Sequence, residues 1–219
     1  MMLAENEIEH LDSIVNRGKP LRKGDVLFNA GQTMKSVYAI RTGCIKTCAL
    51  SAGGEEQITG FHLPGEVIGL DAISSGHHPG FAKAMTTSMI CEIPYRELDE
   101  LTATIPGLRR QMVRIMSQEI LDDQKLLLLL SRKNAKERLA ALLLNLSARY
   151  GKQGFSASRF NLVMTRYEIG NYLGLALETV SRLLGWFQND GLIKVRNREV
   201  EILDMPRLFG LAGIPCEAH

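Results

Sequence analysis

Four residues near the C-terminal end of the sequence combine charged, hydroxyl and small side chains at helical spacing: Glu178, Ser181, Arg182 and Gly185. In a helix they would share one face, because positions three, four and seven residues apart lie on the same side. Val180, Leu184 and Phe187 would form the opposite, apolar face. A carboxylate, a hydroxyl and a guanidinium on one exposed face can hydrogen-bond a polar partner. The alternative is an ordinary surface helix with an i,i+4 ion pair between Glu178 and Arg182.

A short helix is predicted immediately before this face. Thr165 and Glu168 form a capping box, in which a hydroxyl caps the helix start and a carboxylate returns a bond three residues later. Gly174 ends the helix, because glycine accepts the left-handed conformation that a tight turn needs. A second helix from about Leu177 to Asn189 carries the polar face. The segment therefore predicts a helix-turn-helix.

Two short strands are predicted after Gly191, over residues 192–195 and 199–202. The turn between them, Arg196-Asn197-Arg198, is polar and basic. A hairpin of this kind after a helix-turn-helix is a wing.

The composition is that of a globular protein, with 219 residues, 45% hydrophobic and 23% charged. No apolar run reaches the roughly 18 residues that a membrane helix needs. Residues 132–219 contain 13 Lys or Arg and 8 Asp or Glu, whereas the preceding part is net acidic. A basic C-terminal part favours a polyanionic partner. The start Met1-Met2-Leu3-Ala4-Glu5 lacks the basic region of a signal peptide, so we expect a cytoplasmic protein with no membrane partner.

The N-terminal part has a different sequence pattern. A helix is predicted over residues 5–18, and residues 19–94 then contain short apolar runs separated by glycine turns. The clearest strands are residues 37–40, 45–50 and 89–93. This spacing predicts a sandwich, jelly roll or barrel with a packed interior.

A long helix is predicted to begin at Pro106 and to continue to about Ser131. Six of its positions follow the 4-3-4-3-4 spacing of a coiled-coil seam: Arg109, Val113, Met116, Ile120, Asp123 and Leu127. The seam predicts a parallel helix pair in a homodimer, and the alternative is a helix lying on its own domain. In a symmetric dimer the two Asp123 carboxylates would face each other and weaken association.

The four cysteines are Cys44, Cys48, Cys91 and Cys216, and none forms a C-x-x-C pair. On one strand, Cys44 and Cys48 would lie about 13 Å apart, which is too far for a disulfide. We therefore expect neither a disulfide framework nor a zinc site. Because no nucleophile–base pair, phosphate loop or metal triad is recognisable, an enzyme is not predicted. A small-molecule-binding β-roll or an enzyme with an incidental helical tail is the competing class.

The sequence resembles the superfamily of the cyclic-AMP receptor protein and the fumarate–nitrate reductase regulator, and within it the oxygen-responsive branch. The matching stretches are residues 39–43, 56–63, 75–79, 91–94, 133–141, 169–175 and 178–185. The resemblance implies an α+β fold of three parts. They are a β-roll sensory domain (a cyclic-nucleotide-binding-like jelly roll) with a leading helix over residues 1–104, a dimerisation helix over 105–131, and a winged helix-turn-helix DNA-binding domain over 132–219. The last part opens with a second capping box, Asn134 and Glu137, before a helix that ends at Gly151.

The resemblance also implies roles for the recognition helix. Arg182 would contact guanine O6 and N7, and Glu178 would accept a hydrogen bond from a cytosine N4 amino group. Ser181 would bond a neighbouring base or phosphate, and Thr179 belongs to the same contact segment. The implied half-site is TTGAT-like and is repeated as a palindrome that mirrors a dimer.

Other contacts follow from the same resemblance. Leu177 stands where the branch often has valine, and Trp186 replaces a residue that is often basic. The wing residues Arg196 and Arg198 would contact the DNA backbone rather than the bases. The loop Gly53-Gly54-Glu55 matches a region that touches RNA polymerase in this family, and a plain hairpin turn is the alternative.

The sensing chemistry is where the sequence departs from the branch. The oxygen-responsive regulators hold a [4Fe–4S] cluster with three N-terminal cysteines and a fourth near Cys91. Here only Cys91 matches, and one thiolate cannot hold a four-iron cluster. Either the sequence starts late or this member lacks the cluster. Cys91 is then a metal ligand only if an upstream cysteine segment exists, and otherwise a small buried strand residue.

Cyclic AMP is not expected as a ligand. Gly65-Glu66 matches the nucleotide-binding members, but His78-Pro79 stands where those members have arginine and serine for the phosphate. The leading prediction is a dimeric, sequence-specific DNA-binding transcription regulator, an activator that contacts RNA polymerase and controls anaerobic or redox-responsive genes. The alternative is a regulator that responds to a cyclic nucleotide or another small molecule.

Overall fold

The computed structural model describes residues 5–51 and 53–214. The chain divides into two compact units, Met1–Gln124 and Lys125–His219, with the division inside a long helix. Met1–Ala4 and Cys216, for which the sequence makes predictions, lie outside the described residues. The predicted α+β class is confirmed, because the first unit is rich in strands and the second combines helices with a small sheet.

The first unit begins with a helix, continues with eight short strands and ends with two helices. In chain order the elements are α1 (Glu5–Ile14), β1 (Asn16–Arg17), β2 (Val26–Phe28), β3 (Ser36–Thr42), β4 (Ile45–Leu50), β5 (Glu56–His62), β6 (Val67–Ile68), a 3-10 turn (Leu70–Ala72), β7 (Phe81–Ala84), β8 (Met89–Pro94), α2 (Tyr95–Thr104) and α3 (Pro106–Arg132). Helix α3 continues into the second unit.

The strands of the first unit form two four-stranded antiparallel sheets, in the orders β1-β8-β3-β6 and β2-β7-β4-β5. Buried side chains from both sheets fill one core: Phe28, Tyr38, Ile40, Ile45, Ile68, Ala82 and Ala84. Close packing fixes Gly43 as glycine, because a Cβ there would lie 2.6 Å from the carbonyl oxygen of Thr87. The predicted β-roll is confirmed.

A second core joins the helices to this roll. Val37 and Ile93 from the strands pack with Leu98 of α2 and Leu108 of α3. Partly buried residues of α3 join the same cluster, namely Met112, Ile115 and Met116. The first half of α3 therefore buries one face against its own unit, which is the alternative that the periodicity left open. Its opposite face stays exposed.

The second unit contains the predicted helix-turn-helix and wing. After the C-terminal part of α3, its elements are α4 (Ala135–Lys152), β9 (Arg159–Asn161), α5 (Arg166–Leu173), α6 (Leu177–Asn189), β10 (Ile193–Arg196), β11 (Glu199–Ile202) and α7 (Met205–Ala212). The three strands form an antiparallel sheet in the order β10-β11-β9. The core is built by apolar residues of the helices and strands, including Leu139, Leu143, Ile169, Leu173, Val180, Leu184, Phe187, Leu192 and Leu208.

Three predicted boundaries are wrong. The first helix ends at Ile14 instead of Gly18, because Asn16 and Arg17 pair with strand β8 as β1. Helix α4 passes Gly151 and ends at Lys152, and the left-handed glycine is Gly154, at φ 81°. In the wing, Arg196 belongs to strand β10 and pairs with Glu199, so the turn is shorter than predicted.

Candidate nucleic-acid interface

The turn between α5 and α6 is fixed by local bonds. Thr165 Oγ1 accepts a bond from the Glu168 amide at 3.2 Å, and the Thr165 amide donates to Glu168 Oε2 at 2.9 Å, so the predicted capping box is confirmed. Gly174 adopts the left-handed conformation at φ 63° and ψ 43°. Gly170 is needed for a different reason, since a Cβ there would lie 2.5 Å from the Leu175 carbonyl oxygen. Together these residues set where α6 begins.

Helix α6 buries one face and exposes the other, as the spacing predicts. Val180, Leu184 and Phe187 are fully buried. Glu178 and Arg182 are exposed on the opposite face, and Ser181 and Gly185 are half-buried beside them. Burying the apolar residues stabilises α6 by roughly 1.5–3 kcal/mol for each side chain. The hydrogen-bonding groups are thereby held outward on a rigid helix.

The exposed carboxylate and guanidinium of α6 are not joined to each other. Arg182 Nη2 donates to Thr179 Oγ1 at 3.3 Å. Among the ion pairs of residues 5–51 and 53–214, none connects Glu178 with Arg182. The surface ion pair that competed with a binding role for these two residues is therefore not formed. Both groups keep their hydrogen-bonding capacity toward an external partner.

The two arginines that are predicted to contact the DNA backbone lie at the tip of the wing. Arg196 and Arg198 are both exposed, Arg196 at the end of β10 and Arg198 in the turn. Asn197, between them, has a φ of 56°, a left-handed conformation that asparagine tolerates better than most residues. The Arg198 carbonyl oxygen accepts a bond from the Leu162 amide at 2.6 Å, which ties the turn to the chain beyond β9. The wing tip is basic and anchored.

The base of the wing contains an ion pair between β9 and β11. Arg159 Nη2 lies 2.7 Å from Glu201 Oε1. This hydrogen bond lowers the pKa of the Glu201 carboxyl and raises the pKa of Arg159. The pair joins β9 to β11 and leaves the net charge of the wing unchanged, because Arg159 and Glu201 neutralise each other.

Arg138 connects the helix-turn-helix to the preceding helices, a role that no sequence motif predicts. Its guanidinium donates to the carbonyl oxygens of Lys133, Leu173 and Leu130 at 2.9, 2.9 and 2.8 Å. The Leu173 carbonyl belongs to the last turn of α5. No local pattern could have revealed this, because two of the three acceptors lie on other helices.

The predicted seam on α3 is mostly exposed. Val113, Ile120 and Leu127 are 61, 59 and 67% exposed, although all three are apolar. Arg109 and Asp123 are also exposed, whereas Met116 is half-buried against the core of the first unit. Leu121 and Leu128 are further large apolar side chains on the exposed part of this helix. An exposed apolar stripe of this kind is typical of interaction surfaces.

Carboxylates cluster beside this stripe within the first unit. Burial, together with the charges of Asp71 and Asp123, raises the pKa of Glu119 to about 7. Partial burial and the charges of Asp122 and Asp71 raise the pKa of Asp123. The Glu119 and Asp123 carboxyl groups therefore hold their protons more tightly than free ones would.

A local hydrogen bond holds the β4–β5 loop, and the three described cysteines lie in the β-roll. The Gly54 amide donates to the Ser51 carbonyl oxygen at 2.9 Å, and Gly54 has a φ of 79°, so the described residues of the loop form an exposed turn. Cys44 and Cys48 are buried, and Cys91 is half-buried on β8. Within the described part of the chain, no three His, Cys, Asp or Glu side chains come together in a way that could hold a metal ion.

The interior of the β-roll contains an unpartnered histidine. His78 is 1% exposed and stacks on Phe28, with ring centroids 3.8 Å apart. Neither ring nitrogen of His78 has a hydrogen-bond partner among the described residues. Burial lowers the pKa of His78, and the charge of Asp71 opposes that effect in part. Glu66, the carboxylate of the predicted Gly-Glu pair, accepts a bond from the Leu63 amide at 3.1 Å.

This fold and site define the class: a β-roll, a long helix and a winged helix-turn-helix make a DNA-binding transcription regulator. A family model described as a cyclic nucleotide-binding domain matches residues 19–104, and one described as a Crp-like helix-turn-helix domain matches residues 137–210. FixK2 from Bradyrhizobium japonicum is a similar solved structure, with a TM-score of 0.83 and 29% identity, covering 94% of this chain and 100% of that chain.

Curated relatives place the chain more closely. It is 54% identical over 211 residues to the fumarate and nitrate reduction regulatory protein of Escherichia coli (strain K12), covering 96% of this chain and 84% of the relative. The protein of the same name from Salmonella typhimurium gives the same identity and coverage. The chain belongs to the Crp/Fnr family, in the branch of the fumarate and nitrate reduction regulators. The predictions of a DNA-binding regulator and of a non-enzyme are confirmed.

No helix among the residues that the structure describes combines the length and the apolar character needed to cross a membrane.

Proposed function

We propose that the chain binds a TTGAT-like palindrome as a homodimer in the cytoplasm and activates anaerobic or redox-responsive genes. The observation that carries this proposal is that Glu178 and Arg182 are both exposed on α6 and form no ion pair with each other. The name of the relatives, which refers to fumarate and nitrate reduction, supports the anaerobic role.

The recognition chemistry follows from the side chains of α6. Arg182 donates two parallel bonds to guanine O6 and N7, and Glu178 accepts from a cytosine N4 amino group. Ser181 bonds a neighbouring base or phosphate, and Thr179 orients Arg182 through their 3.3 Å contact. A bidentate contact discriminates against the wrong base by about 1–3 kcal/mol. Guanine recognition is therefore assigned to Arg182.

In a dimer, two copies of this face are related by two-fold symmetry. The exposed apolar side chains Val113, Ile120 and Leu127 support pairing of two α3 helices, because leaving them in water costs more than burying them against a copy. Two wings then contribute Arg196 and Arg198 as contacts to phosphates on each side of the palindrome.

A gel-shift titration tests this proposal. Wild-type protein is expected to bind a TTGAT palindrome more tightly than a scrambled duplex. Arg182→Ala should lose most of that discrimination at the guanine, whereas Arg198→Ala should weaken binding to both duplexes equally. Equal affinity of the wild type for the two duplexes would reject sequence-specific binding.

Among the described residues, only Cys91 is a candidate ligand for an iron–sulfur cluster. Cys91 on β8 is half-buried, whereas Cys44 and Cys48 are buried in the β-roll, and a four-iron cluster needs four ligands. We assign Cys91 as a cluster ligand only where further cysteines precede this sequence. Iron content and visible absorbance of anaerobically purified protein, together with the DNA sequence upstream of the Met1 codon, decide the matter.

Cyclic AMP is not the proposed signal. His78 stands where nucleotide-binding members have the arginine for the phosphate, and burial lowers its pKa, so it is a poor substitute for a guanidinium as the partner of a phosphate. Adding cyclic AMP should leave the affinity for DNA unchanged. A clear increase in affinity would favour the small-molecule-responsive alternative.

The exposed β4–β5 loop is proposed as a contact to RNA polymerase. Gly54 and Glu55 lie at its tip. Their backbone groups hydrogen-bond to the backbone and the side chain of Ser51. Changes at Gly54 and Glu55 should reduce transcription from a target promoter without changing DNA affinity. Unchanged promoter output would discard this contact.

A further inference from the structure

A lysine of α4 lies against the recognition helix. The Lys136 Nζ is 3.8 Å from the centroid of the Trp186 ring, which is within the range of a cation–π interaction. Lys136 is exposed in the first turn of α4, and Trp186 is 36% exposed on α6. By resemblance to the family, Trp186 replaces a residue that is often basic. The structure instead brings a basic group to that position from another helix.

The position of Trp186 places this pair at the edge of the recognition face. Trp186 follows Arg182 by four residues and Glu178 by eight, so the three side chains form one stripe along α6. The ammonium over the ring therefore extends the face that Glu178 and Arg182 begin. It adds positive charge at the C-terminal end of the helix.

The ammonium remains available to an external anion. None of the ion pairs among the described residues involves Lys136. A ring attracts the cation without using its three N–H donors as a carboxylate would. The contact with Trp186 also restricts a long, flexible side chain, which reduces the entropy lost when a partner binds.

We propose that Lys136, held over the ring of Trp186, donates to a phosphate of the DNA backbone beyond the bases that Arg182 reaches. This inference rests on the proposed function, in that DNA must occupy the exposed face of α6. A phosphate is the anion that DNA presents at the edge of a groove, and an ammonium binds it as a point charge. The contact fixes the register of the helix and carries no sequence preference.

A purely structural role makes a different prediction. If the pair only connected α4 to α6, loss of the charge would change stability but not the dependence of DNA binding on salt. A phosphate contact releases a counterion, so its loss flattens the salt dependence. The salt slope therefore separates the two roles.

The test measures the affinity of the full chain for a fluorescent TTGAT palindrome and for a scrambled duplex between 50 and 200 mM KCl. Two phosphate contacts per dimer contribute about 1.8 to the salt slope, so wild-type affinity should fall about 12-fold more than that of Lys136→Gln over this range. The loss should be equal on both duplexes. Lys136→Arg should retain the wild-type slope, because a guanidinium also stacks on tryptophan and binds phosphate.

A matched control comes from the same helix. Lys152→Gln removes the same charge from the last residue of α4, about 24 Å along the helix axis at 1.5 Å per residue. Its salt slope should equal that of the wild type. A Lys136→Gln slope equal to those of the wild type and Lys152→Gln would overturn the inference. Wild-type protein that binds both duplexes equally would instead reject the proposed palindrome, while the slopes would still test Lys136.

Trp186 supplies a second readout, because it is the single tryptophan of the sequence. DNA should protect its fluorescence from acrylamide quenching in the wild type. Quenching that DNA does not change would place Trp186 outside the interface and would overturn the inference. Thermal unfolding of Lys136→Gln checks that the variant is folded before either measurement.

Discussion

The guanidinium of Arg138 donates through Nη1 to the carbonyl oxygen of Leu173 at 2.9 Å, joining the first turn of α4 to the last turn of α5. The carbonyl groups at a helix end lack partners within the helix, and a charged donor satisfies one of them here. Two further bonds, to Leu130 and Lys133, tie the same side chain to the preceding segment. One side chain therefore ties α5 to α4 and to the end of α3.

Arg138→Ala is expected to lower the free energy of unfolding by about 2–4 kcal/mol, because three charge-assisted bonds are lost and their acceptors are partly buried. Urea denaturation followed by circular dichroism measures this change. Arg132→Ala, at an exposed position in the last turn of α3, is the control and should stay within about 0.5 kcal/mol of wild type. If the two variants were equally stable, Arg138 would have no such role.

Gly170→Ala is expected to displace the turn between α5 and α6. The added Cβ would lie 2.5 Å from the Leu175 carbonyl oxygen, which is backbone and cannot rotate away. We expect a loss of stability of about 1–3 kcal/mol and weaker binding to a palindrome. Gly210→Ala in α7 is the matched control, since its Cβ meets nothing within 4 Å. That variant should be neutral or more stable by up to about 1 kcal/mol. Wild-type DNA affinity in Gly170→Ala would contradict the prediction.

The raised pKa of Glu119 predicts that the free energy of unfolding depends on pH. Its pKa is raised from 4.5 to about 7, so the folded state holds the proton more tightly than the unfolded state does. The resulting stabilisation is fully present below pH 4.5 and is lost as the pH rises to about 7. For a half-buried group we expect a change of roughly 1–2 kcal/mol after allowing for solvent screening.

Glu119→Gln should remove this decline, so that its unfolding midpoint in urea changes less than that of wild type between pH 5 and about 7. Glu97→Gln, at an exposed position in the first turn of α2, serves as the control and should decline as wild type does. A parallel decline in Glu119→Gln would show that another group titrates.

Asp123→Ala is expected to tighten self-association. In the proposed pair of α3 helices the two Asp123 carboxylates would face each other, and like charges in contact cost about 1 kcal/mol in water-like surroundings, or roughly fivefold in the dimer constant. Sedimentation velocity over a range of concentrations measures the effect. Asp122→Ala removes the same charge about 100° around the helix and should change the dimer constant less. Unchanged self-association of Asp123→Ala would show that repulsion between the two carboxylates does not weaken the dimer.

The elements that present the recognition face could be predicted because their signals are local. Thr165 and Glu168 define the start of α5 within four residues, and Gly174 defines its end. The apolar residues of α6 recur at helical spacing, so the exposed position of Arg182 follows from its neighbours alone. Resemblance to a known family then added the base contacts, which no spacing could give.

Elements that depend on distant partners were missed. Strand β9 contains a single apolar residue, Phe160, and exists because it pairs with β11 across the whole helix-turn-helix. Strand β1 is only Asn16 and Arg17, and its partner is β8. The contact of Lys136 with Trp186 is hidden for the same reason, since cation and ring lie on helices that are far apart in the sequence.

The pairing of β1 with β8 also has a kinetic consequence. Asn16 meets Glu92, so the first and last strands of the β-roll are neighbours in one sheet. A growing chain cannot complete this sheet until the whole roll has left the ribosome. Long-range strand pairing is slow, whereas helices with local capping signals form rapidly. We therefore expect the helix-turn-helix to reach its native structure within a short time of its synthesis, and completion of the β-roll to limit how soon a new molecule can work.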